Sequence, residues 1–552
     1  MGRTHDELAG CLDELAAWTT LAEGSAEGFR VRAWKEAARA VRGLGPAALT
    51  MEPAQLHATP GLGRASVEVI VQWRDGGPVE RLERLRAEHP PGILELLRVP
   101  GLGPKLVRSL HDVLGIGSVA SLRAAIDDGR LGSLPGVGQA TVDALRAALR
   151  LDAVDRIPLA DVLEALPGVD VAGPEAAVPA GAVLAGAARR GLDHLEEVVI
   201  VASEPLDVTG LHFGVPARVV VIEDPRRAGW DLVVATGPDD HVRELVGLAA
   251  ARGMTLDPDG LRDADGAKVM VEDEDALYRA LGLYRSTPER RDSGDGLADR
   301  AGPAPLGLVQ VEDLRGDLHV HTTWSGDGRS SLPDMLAALH DRGFAYAAIT
   351  DHAEDLRING LTRERMLEQR AELERLADTY DGLRILHGAE LNIDATGSVD
   401  YDAEFLTGFD WCVASVHSSF RRPSQEQTKR LVAAIHNPSV TAIGHLTGRM
   451  LGRREGIAFD LDAVLTALSE TGTALEINSS PRRLDAPAEV VAEAVARGVN
   501  LVISTDAHHV DALANAAHGV RLARRAGVTA EQVVNTWPVQ RFLGWVSDVG
   551  RV

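Results

Sequence analysis

From Gly316 onward, histidines and acids recur around short apolar runs, and this pattern narrows the possible folds more than any other. The runs that read as strands are Asp317–Val320, Ala347–Thr350, Trp411–Ser415, Ala442–Gly444, Ala474–Ile477 and Leu501–Ser504, with helical text between them. Repeated β/α units of this kind suggest a barrel related to the TIM architecture. The polar residues placed among them are His319, His321, Asp327, His352, Glu390, His417, His445, Asp506 and His508. Barrel sites form at the C-terminal ends of the strands, so these side chains can share one mouth. His-x-His on a strand puts both imidazoles on one face, able to grip one ion. So many nitrogen and oxygen ligands exceed what one cation needs; with a bridging carboxylate they suit two or three. No thiolate is among them, so Mn2+, Zn2+ and Fe2+ are all chemically suitable. A lone histidine is more often a satisfied core or surface group, and only the grouping carries the metal reading. His340, His387, His436, His509 and His518 fall outside the pattern and read as ordinary.

A chain of 552 residues is too long for one core, so three or four domains are expected. The start, MGRTHDELAG, lacks a signal-peptide core, and no apolar run is long enough to span a membrane. The expected location is cytoplasmic, with no membrane partner. Cys11 and Cys412 are the only cysteines, which excludes a disulfide framework and a cysteine zinc site. The net charge of −24 argues against nucleic-acid binding by the chain as a whole. Carboxylates that hold metals count as negative in that sum while their cations do not.

A short motif recurs in the first third: Pro60-Gly61-Leu62-Gly63, Pro100-Gly101-Leu102-Gly103 and Pro135-Gly136-Val137-Gly138, each followed by helical text. This is a helix-hairpin-helix signature. Gly61, Gly101 and Gly136 permit a tight turn, and Gly63, Gly103 and Gly138 precede a helix whose free N–H groups can meet a phosphate. Such a grip holds a DNA backbone without reading sequence. One copy alone would read as an ordinary helix turn; the repetition favours DNA. Upstream, Phe29-Arg30-Val31-Arg32-Ala33-Trp34-Lys35 reads as a basic, aromatic helix. From about residue 151 the text turns mixed α+β. Val198–Ala202 and Val219–Ile222 read as strands, and Leu232–Ala235 as a further strand.

Residues 316–552 resemble the polymerase and histidinol phosphatase (PHP) domain family. The match runs through Asp-Leu-His-Val-His-Thr, Ile-Thr-Asp-His, His-Gly-Ala-Glu, Ala-Ser-Val-His-Ser, Gly-His-Leu-Thr-Gly-Arg, Leu-Glu-Ile-Asn and Ser-Thr-Asp-Ala-His. The resemblance implies a distorted (βα)7 barrel with a trinuclear site. By it, Glu390 bridges two ions, with His319 and His321 on the first and His417 and His445 on another. Asp327, His352 and His508 hold the third, and Asp506 completes the cluster. Leu446 departs from a proline common in relatives.

The whole chain resembles a bacterial family-X DNA polymerase: helix-hairpin-helix segments, a nucleotidyltransferase palm and thumb, then PHP. Gly186-Ala187-Ala188-Arg189-Arg190-Gly191 fits the palm's Gly-Ser-x-Arg-Arg signature, with Ala187 in place of serine. Nucleotidyl transfer needs acids that hold two magnesium ions. In the family these are Asp-x-Asp and a third Asp; here Glu197, Val199 and Arg218 fall on those positions. A hydrocarbon cannot coordinate magnesium and an arginine repels it.

The expected class is therefore a multidomain α/β chain. It would hold an N-terminal all-α helix-hairpin-helix region, an α+β nucleotidyltransferase-like palm and thumb, and a C-terminal distorted (βα)7 PHP barrel. The expected boundaries are 1–85 and 86–150 for the helical parts, 151–288 for palm and thumb, 289–315 for a linker and 316–552 for the barrel. The expected function is a metal-dependent 3′→5′ exonuclease or phosphodiesterase in DNA repair. It would use two or three divalent ions and no catalytic side chain beyond the metal-activated water. Its partner would be DNA, gapped or 3′-recessed. Arg449, Arg453 and Arg454, with Arg421 and Arg422, are candidate phosphate contacts. Three rivals stand beside it: a histidinol-phosphate type phosphatase served by the same metal cluster, an active gap-filling polymerase, and a DNA-binding scaffold with a structural metal.

Overall fold

The spacing of apolar residues dictates the N-terminal helices. In Phe29–Leu44, Val31, Trp34, Ala37, Ala38 and Val41 recur at helical spacing and are buried, while Arg32 and Lys35 face solvent. Together with Leu8, Leu12 and Leu15 of the helix His5–Glu23, they form the core of an all-helical body. The chain divides by contacts into two bodies, Met1–Val154 and Asp155–Val552. The computed structural model describes residues 5–549 apart from 24–27, 76, 89, 91, 98, 100–101, 135–136, 139–140, 143–144, 146–155, 172, 174–180, 209–212, 293–306 and 357.

Within the first body, the described residues of the three Pro-Gly-x-Gly copies share one bonding pattern. Leu62, Leu102 and Val137 are each buried, and their N–H groups donate to Thr59, Val99 and Leu134 at 3.0–3.1 Å. The second glycine then opens a helix, its carbonyl accepting from Val67, Val107 and Val142. Gly61 has φ +84°, and a Cβ there would come within 3.3 Å of the Glu36 carbonyl oxygen, so glycine is required. Gly101 and Gly136 lie outside the described residues.

The second body begins with a small mixed sheet. Strands β1 (Ile157–Pro158) and β4 (His194–Leu195) pair with each other, while β2 (Asp170–Val171), β3 (Ala182–Leu184), β5 (Val198–Ala202) and β6 (Ala217–Val221) form a sheet in the order β2-β3-β5-β6. Strands β7 (Thr255–Asp257), β8 (Gly260–Arg262) and β9 (Lys268–Val269) form an antiparallel meander beyond it. Leu232–Ala235 is not a strand: it lies inside the helix Ala228–Thr236. Four apolar residues in a row do not distinguish a strand from a helix buried on most sides. This helix is of the second kind, with Trp230, Leu232, Val233, Ala235 and Thr236 all buried. Gly229 lets it press on the next segment, since a Cβ would sit 2.0 Å from the Asp273 carbonyl oxygen.

The rest is a parallel sheet of seven strands in sequential order. They are β10 (Gly316–Val320), β11 (Tyr346–Ile349), β12 (Arg384–Asn392), β13 (Trp411–Ser415), β14 (Ala442–Ile443), β15 (Ala474–Asn478) and β16 (Leu501–Ser504). The first and last edges approach through a parallel bridge between Val320 and Ala507, where the His321 N–H donates to the Ala507 carbonyl at 2.8 Å. Strand β12 has no apolar run to announce it, because His387, Gly388 and Glu390 interrupt the text. Of the stretch that reads as a linker, residues 289–292 pack tightly: Glu289 is buried and pairs with Arg524 of the helix Ala516–Arg525 at 2.8 Å. No described helix is long and apolar enough to cross a membrane.

Candidate metal centre

All nine candidate ligands lie at one end of the barrel, on or after the strands β10, β11, β12, β13, β14 and β16. Glu390 stands at the centre. Its carboxylate lies 2.8 Å from His445 Nε2, 3.1 Å from His417 Nε2, 2.7 Å from His352 Nδ1, 3.5 Å from His319 Nε2 and 3.6 Å from His321 Nε2. Asp506 approaches His321 Nε2 at 3.2 Å. Asp327 lies 3.2 Å from His352 Nε2 and 3.5 Å from His508 Nε2. His319, His321, Glu390 and His445 are fully buried, whereas the side chains of Asp327 and His508 are 34% and 26% exposed. The mouth therefore opens on the Asp327 and His508 side.

Three groups have ligand atoms close enough to share an ion: His321, His352 and His508; His319, His321 and Asp506; and His352, Glu390 and His417. The fit to cations rests on orphaned atoms. His319 Nε2, both nitrogens of His321, His352 Nδ1, His445 Nδ1, Asp327 Oδ1 and Glu390 Oε2 are buried without a hydrogen-bond partner. Buried polar atoms left unpaired are costly, and so many converging on one point mark a site built for a ligand. His445 and Asp506 also hold the backbone at φ +24° and +54°, a conformation that costs roughly 1–3 kcal/mol for such residues and clusters at functional sites.

The electrostatics point the same way. Burial disfavours the Glu390 carboxylate, yet His417, His319 and His352 hold its pKa well below the usual range. Burial likewise opposes ionised Asp506, and His319, His321 and Arg483 more than offset it. Burial and the neighbouring His508 and His352 push His321 down to about 3, so it stays neutral and able to ligate. Against burial, Glu476 and Glu390 raise His319 well above its ordinary value and Glu390 raises His352 to about 10, so the ionised acids demand positive charge that protonated rings supply and that a bound divalent cation would supply in exchange for those protons.

Neighbours outside the nine candidates orient the ligands. Glu476 on β15 lies 2.6 Å from His319 Nδ1 and accepts the His445 N–H at 2.5 Å. Asn392 Oδ1 lies 2.7 Å from His417 Nδ1, and Asn359 Nδ2 donates to Asp327 at 2.9 Å. Arg483 Nε lies 3.2 Å from Asp506 Oδ2. Such partners fix ring orientation and raise ligand basicity. Glu476 is the one the sequence could have shown, as the acid of Leu-Glu-Ile-Asn.

The palm is built differently. Val199 on β5 pairs with Arg218 on β6, and Arg218 Nε bonds Glu197 Oε1 at 3.0 Å. These residues line a cleft of about 560 Å³ with Gly186, Arg190 and Val234. Among the described residues every grouping of side chains able to hold a metal lies in the barrel. Arg189 of the Gly-Ala-Ala-Arg-Arg-Gly text is buried and forks onto Glu274 at 2.7 and 3.1 Å.

Of the candidate phosphate contacts, Arg449 is corrected. It is taken up inside the protein: its Nη2 pairs with Asp193 at 2.9 Å and its Nε donates to the Arg483 carbonyl at 2.9 Å. A long-range partner claims the charge that the loop reading left to solvent. Arg454 stacks on Phe420 at 3.8 Å and is half-buried, Arg422 pairs with Glu426, and Arg453 is exposed.

Comparison with known proteins agrees with this architecture. Family models match as a SAM-like helix-hairpin-helix tandem over residues 93–152, a DNA polymerase beta thumb over 231–292 and a PHP domain over 317–480. The DNA polymerase/3′-5′ exonuclease PolX of Bacillus subtilis is 31% identical over 92% of this chain and 93% of its own. A probable phosphatase of Syntrophotalea carbinolica is 31% identical over 40% of this chain and 90% of its own. A solved histidinol phosphate phosphatase of Lactococcus lactis, complexed with zinc, L-histidinol and phosphate, is similar over 39% of this chain and 94% of its own, at 18% identity and a TM-score of 0.30. The fold and the site define a multidomain chain with a PHP-type metal centre. The chain belongs to the bacterial family-X DNA polymerases that carry a C-terminal PHP domain.

Proposed function

We propose that this protein is a metal-dependent phosphodiesterase that removes nucleotides from a DNA 3′ end in the course of repair, and that its polymerase palm is inactive. The observation that carries the reading is the convergence of unpaired, buried imidazole and carboxylate atoms on Glu390 at a mouth open to solvent. His319, His321, Asp327, His352, Glu390, His417, His445, Asp506 and His508 would hold two or three ions, with Mn2+, Zn2+ and Fe2+ all suited to nitrogen and oxygen donors. When bound, such ions activate water and neutralise phosphoryl oxygens. Glu476 and Asn392 keep the His319 and His417 rings in the tautomer that presents Nε2 to the centre. His508 and Asp327, at the exposed side, face the entering phosphodiester.

DNA as substrate rests on the hairpins. Gly63, Gly103 and Gly138 have open space where a side chain would stand, room for a phosphate at a helix start. Gly61, Gly101 and Gly136 would supply the turns of the same grips. Gapped or 3′-recessed DNA is the expected substrate form, and such a substrate puts the activity in the cytoplasm. The palm reading rests on the Glu197–Arg218 pair, which satisfies the one remaining acid with a guanidinium.

The test is purified protein with Mn2+ on a 3′-recessed DNA primer, with and without nucleotides, beside a histidinol phosphate arm. Shortening of the primer is the expected result. Extension instead would revive the polymerase, and phosphate release from histidinol phosphate with intact DNA would favour the metabolite enzyme.

A further inference from the structure

Several arginines fasten the palm to the barrel, and one of these fastenings leads to the metal ligands. Arg482 pairs with Glu164 at 2.5 Å and with Asp161, and its carbonyl accepts from the Leu451 N–H at 2.8 Å, but its side chain meets no group that touches a metal ligand. Arg449 does. It lies on the loop that follows His445, with a side chain only 14% exposed. On one side its Nη2 meets Asp193 Oδ2 at 2.9 Å. On the other its guanidinium donates to the carbonyls of both Arg483 and Leu484. Asp485, the next residue, accepts from the Thr447 hydroxyl at 2.8 Å and from the Arg449 N–H at 3.3 Å. The loop after β14 and the turn after β15 are thus tied together through Arg449, and the tie is anchored in the palm.

The turn carries Arg483, whose Nε lies 3.2 Å from Asp506 Oδ2 while its Nη1 is buried without a partner. Asp506 presents its other oxygen to His321 at 3.2 Å and to His319 at 3.7 Å. It does so from a left-handed backbone, φ +54°, which neighbouring contacts must hold. Asp193 is itself fixed: its carbonyl accepts from the Leu159 N–H at 2.9 Å and its Oδ1 lies 2.9 Å from His194 Nδ1. Among the described residues it is the one carboxylate that pairs with the Arg449 guanidinium, so removing it leaves a largely buried cation without its counter-charge, and that cation must move.

We propose that Asp193, a palm residue, is a positioning residue for the barrel's metal centre, acting through Arg449 to hold Arg483 against Asp506. This rests on the phosphodiesterase reading above and adds to it a reason for keeping a palm that lacks its acids: the palm is part of the hydrolase. The effect is on the geometry of the centre and not on DNA holding, so it must show on a substrate too small to reach the palm.

The experiment uses full-length, Mn2+-loaded protein and bis(p-nitrophenyl) phosphate, with DNA in parallel. Asp193→Asn should lower kcat about tenfold on both substrates, the lower end of the 10–100-fold range for residues behind a metal ligand. KM and bound Mn2+ should stay within about twofold of the parent. Arg449→Met should give the same loss, and the double variant no more than either single one. Asp161→Ala with Glu164→Ala, which cuts the Arg482 fastening, should leave kcat on the small substrate at the parent value. A merely structural weld would instead respond to both cuts alike. Parent-like kcat in Asp193→Asn, loss on DNA alone, or a double variant showing the product of the single losses would each overturn the inference. Should Asp193→Asn fail to fold, Arg449→Lys decides. Lysine keeps the ion pair but lacks the fork onto two carbonyls, so the tenfold loss is expected and a parent-like rate overturns the inference. A parent inactive on both substrates overturns the underlying phosphodiesterase reading and this inference with it; an active parent unaffected by Asp193→Asn overturns this inference alone.

Discussion

The palm and the barrel both gather acids and bases at the ends of strands, and they resolve the charge in opposite ways. In the palm cleft Glu197 meets the guanidinium of Arg218 and Glu196 that of Arg156. In the barrel the acids meet imidazoles: Glu390 with His417 and His445, Asp506 with His321. Arginine keeps its proton and offers no lone pair, so it neutralises a carboxylate and closes the place to a cation. Histidine near neutral pH can present a bare nitrogen, so the same carboxylate and ring become ligands together. The base beside Glu197 and the bases beside Glu390 are the contrast that the following experiments probe.

The contrast breaks most sharply at Glu390. Glu390→Gln removes the shared carboxylate, and hydrolysis should fall by on the order of 10²–10³-fold, the scale of losing one electrostatic stabiliser. Bound metal should fall with it, while DNA affinity stays at the parent value. Hydrolysis that survives would mean the barrel is no more a metal centre than the palm. One step out, Glu476→Gln weakens the carboxylate behind His319, and Mn2+ titration should show affinity lower by about 10–100-fold. An unchanged binding curve would reduce Glu476 to a packing residue.

A smaller effect is expected where neither site is touched. Gly103 has φ −79° and no atom within 4 Å of a Cβ, so Gly103→Val should fold normally and block one phosphate position. DNA affinity should drop about tenfold, ~1.4 kcal/mol, and hydrolysis of a small phosphodiester should not change. Parent-like affinity across a salt series would make the hairpins ordinary turns, since phosphate contacts weaken with salt.

The last difference is complete near neutral pH and fades in acid. Burial opposes ionised Glu274, but Arg291 and Arg189 hold its pKa down to about 2 against an ordinary 4.5. A folded-state pKa below the unfolded one means that the stabilisation is complete above about pH 4.5 and is lost as pH falls towards 2. Breaking the buried pair with Glu274→Gln should cost roughly 3–5 kcal/mol. The gap in thermal stability between parent and variant should therefore be constant from pH 7 to 5 and narrow below that. A gap that stays constant down to pH 3 would show that the carboxylate is not held ionised by its arginines.

Much of the metal centre was legible from local text because each ligand sits in a short strand-end phrase, such as Thr-Asp-His for His352 or Ser-Val-His for His417. The hairpins were legible for a similar reason: a turn of a few residues closes on itself, and the described residues of all three copies bond the same way. What was not legible depended on partners far along the chain. The apolar run 232–235 looked like a strand until the Asp273 segment packed against its helix. Arg449 looked like a free loop cation until Asp193 claimed it, and Arg483 gave no sign of its approach to Asp506.

The sequence by itself determined which chemical groups are present and which strand ends carry them, because turn formation and strand alternation act over a few residues. It also placed Glu197, Val199 and Arg218 where the resemblance expects the palm's acids. Only the tertiary structure decided which acid faces which base. That pairing turns on distances of about 3 Å between residues tens to hundreds of positions apart, and such distances exist only once the sheets are closed.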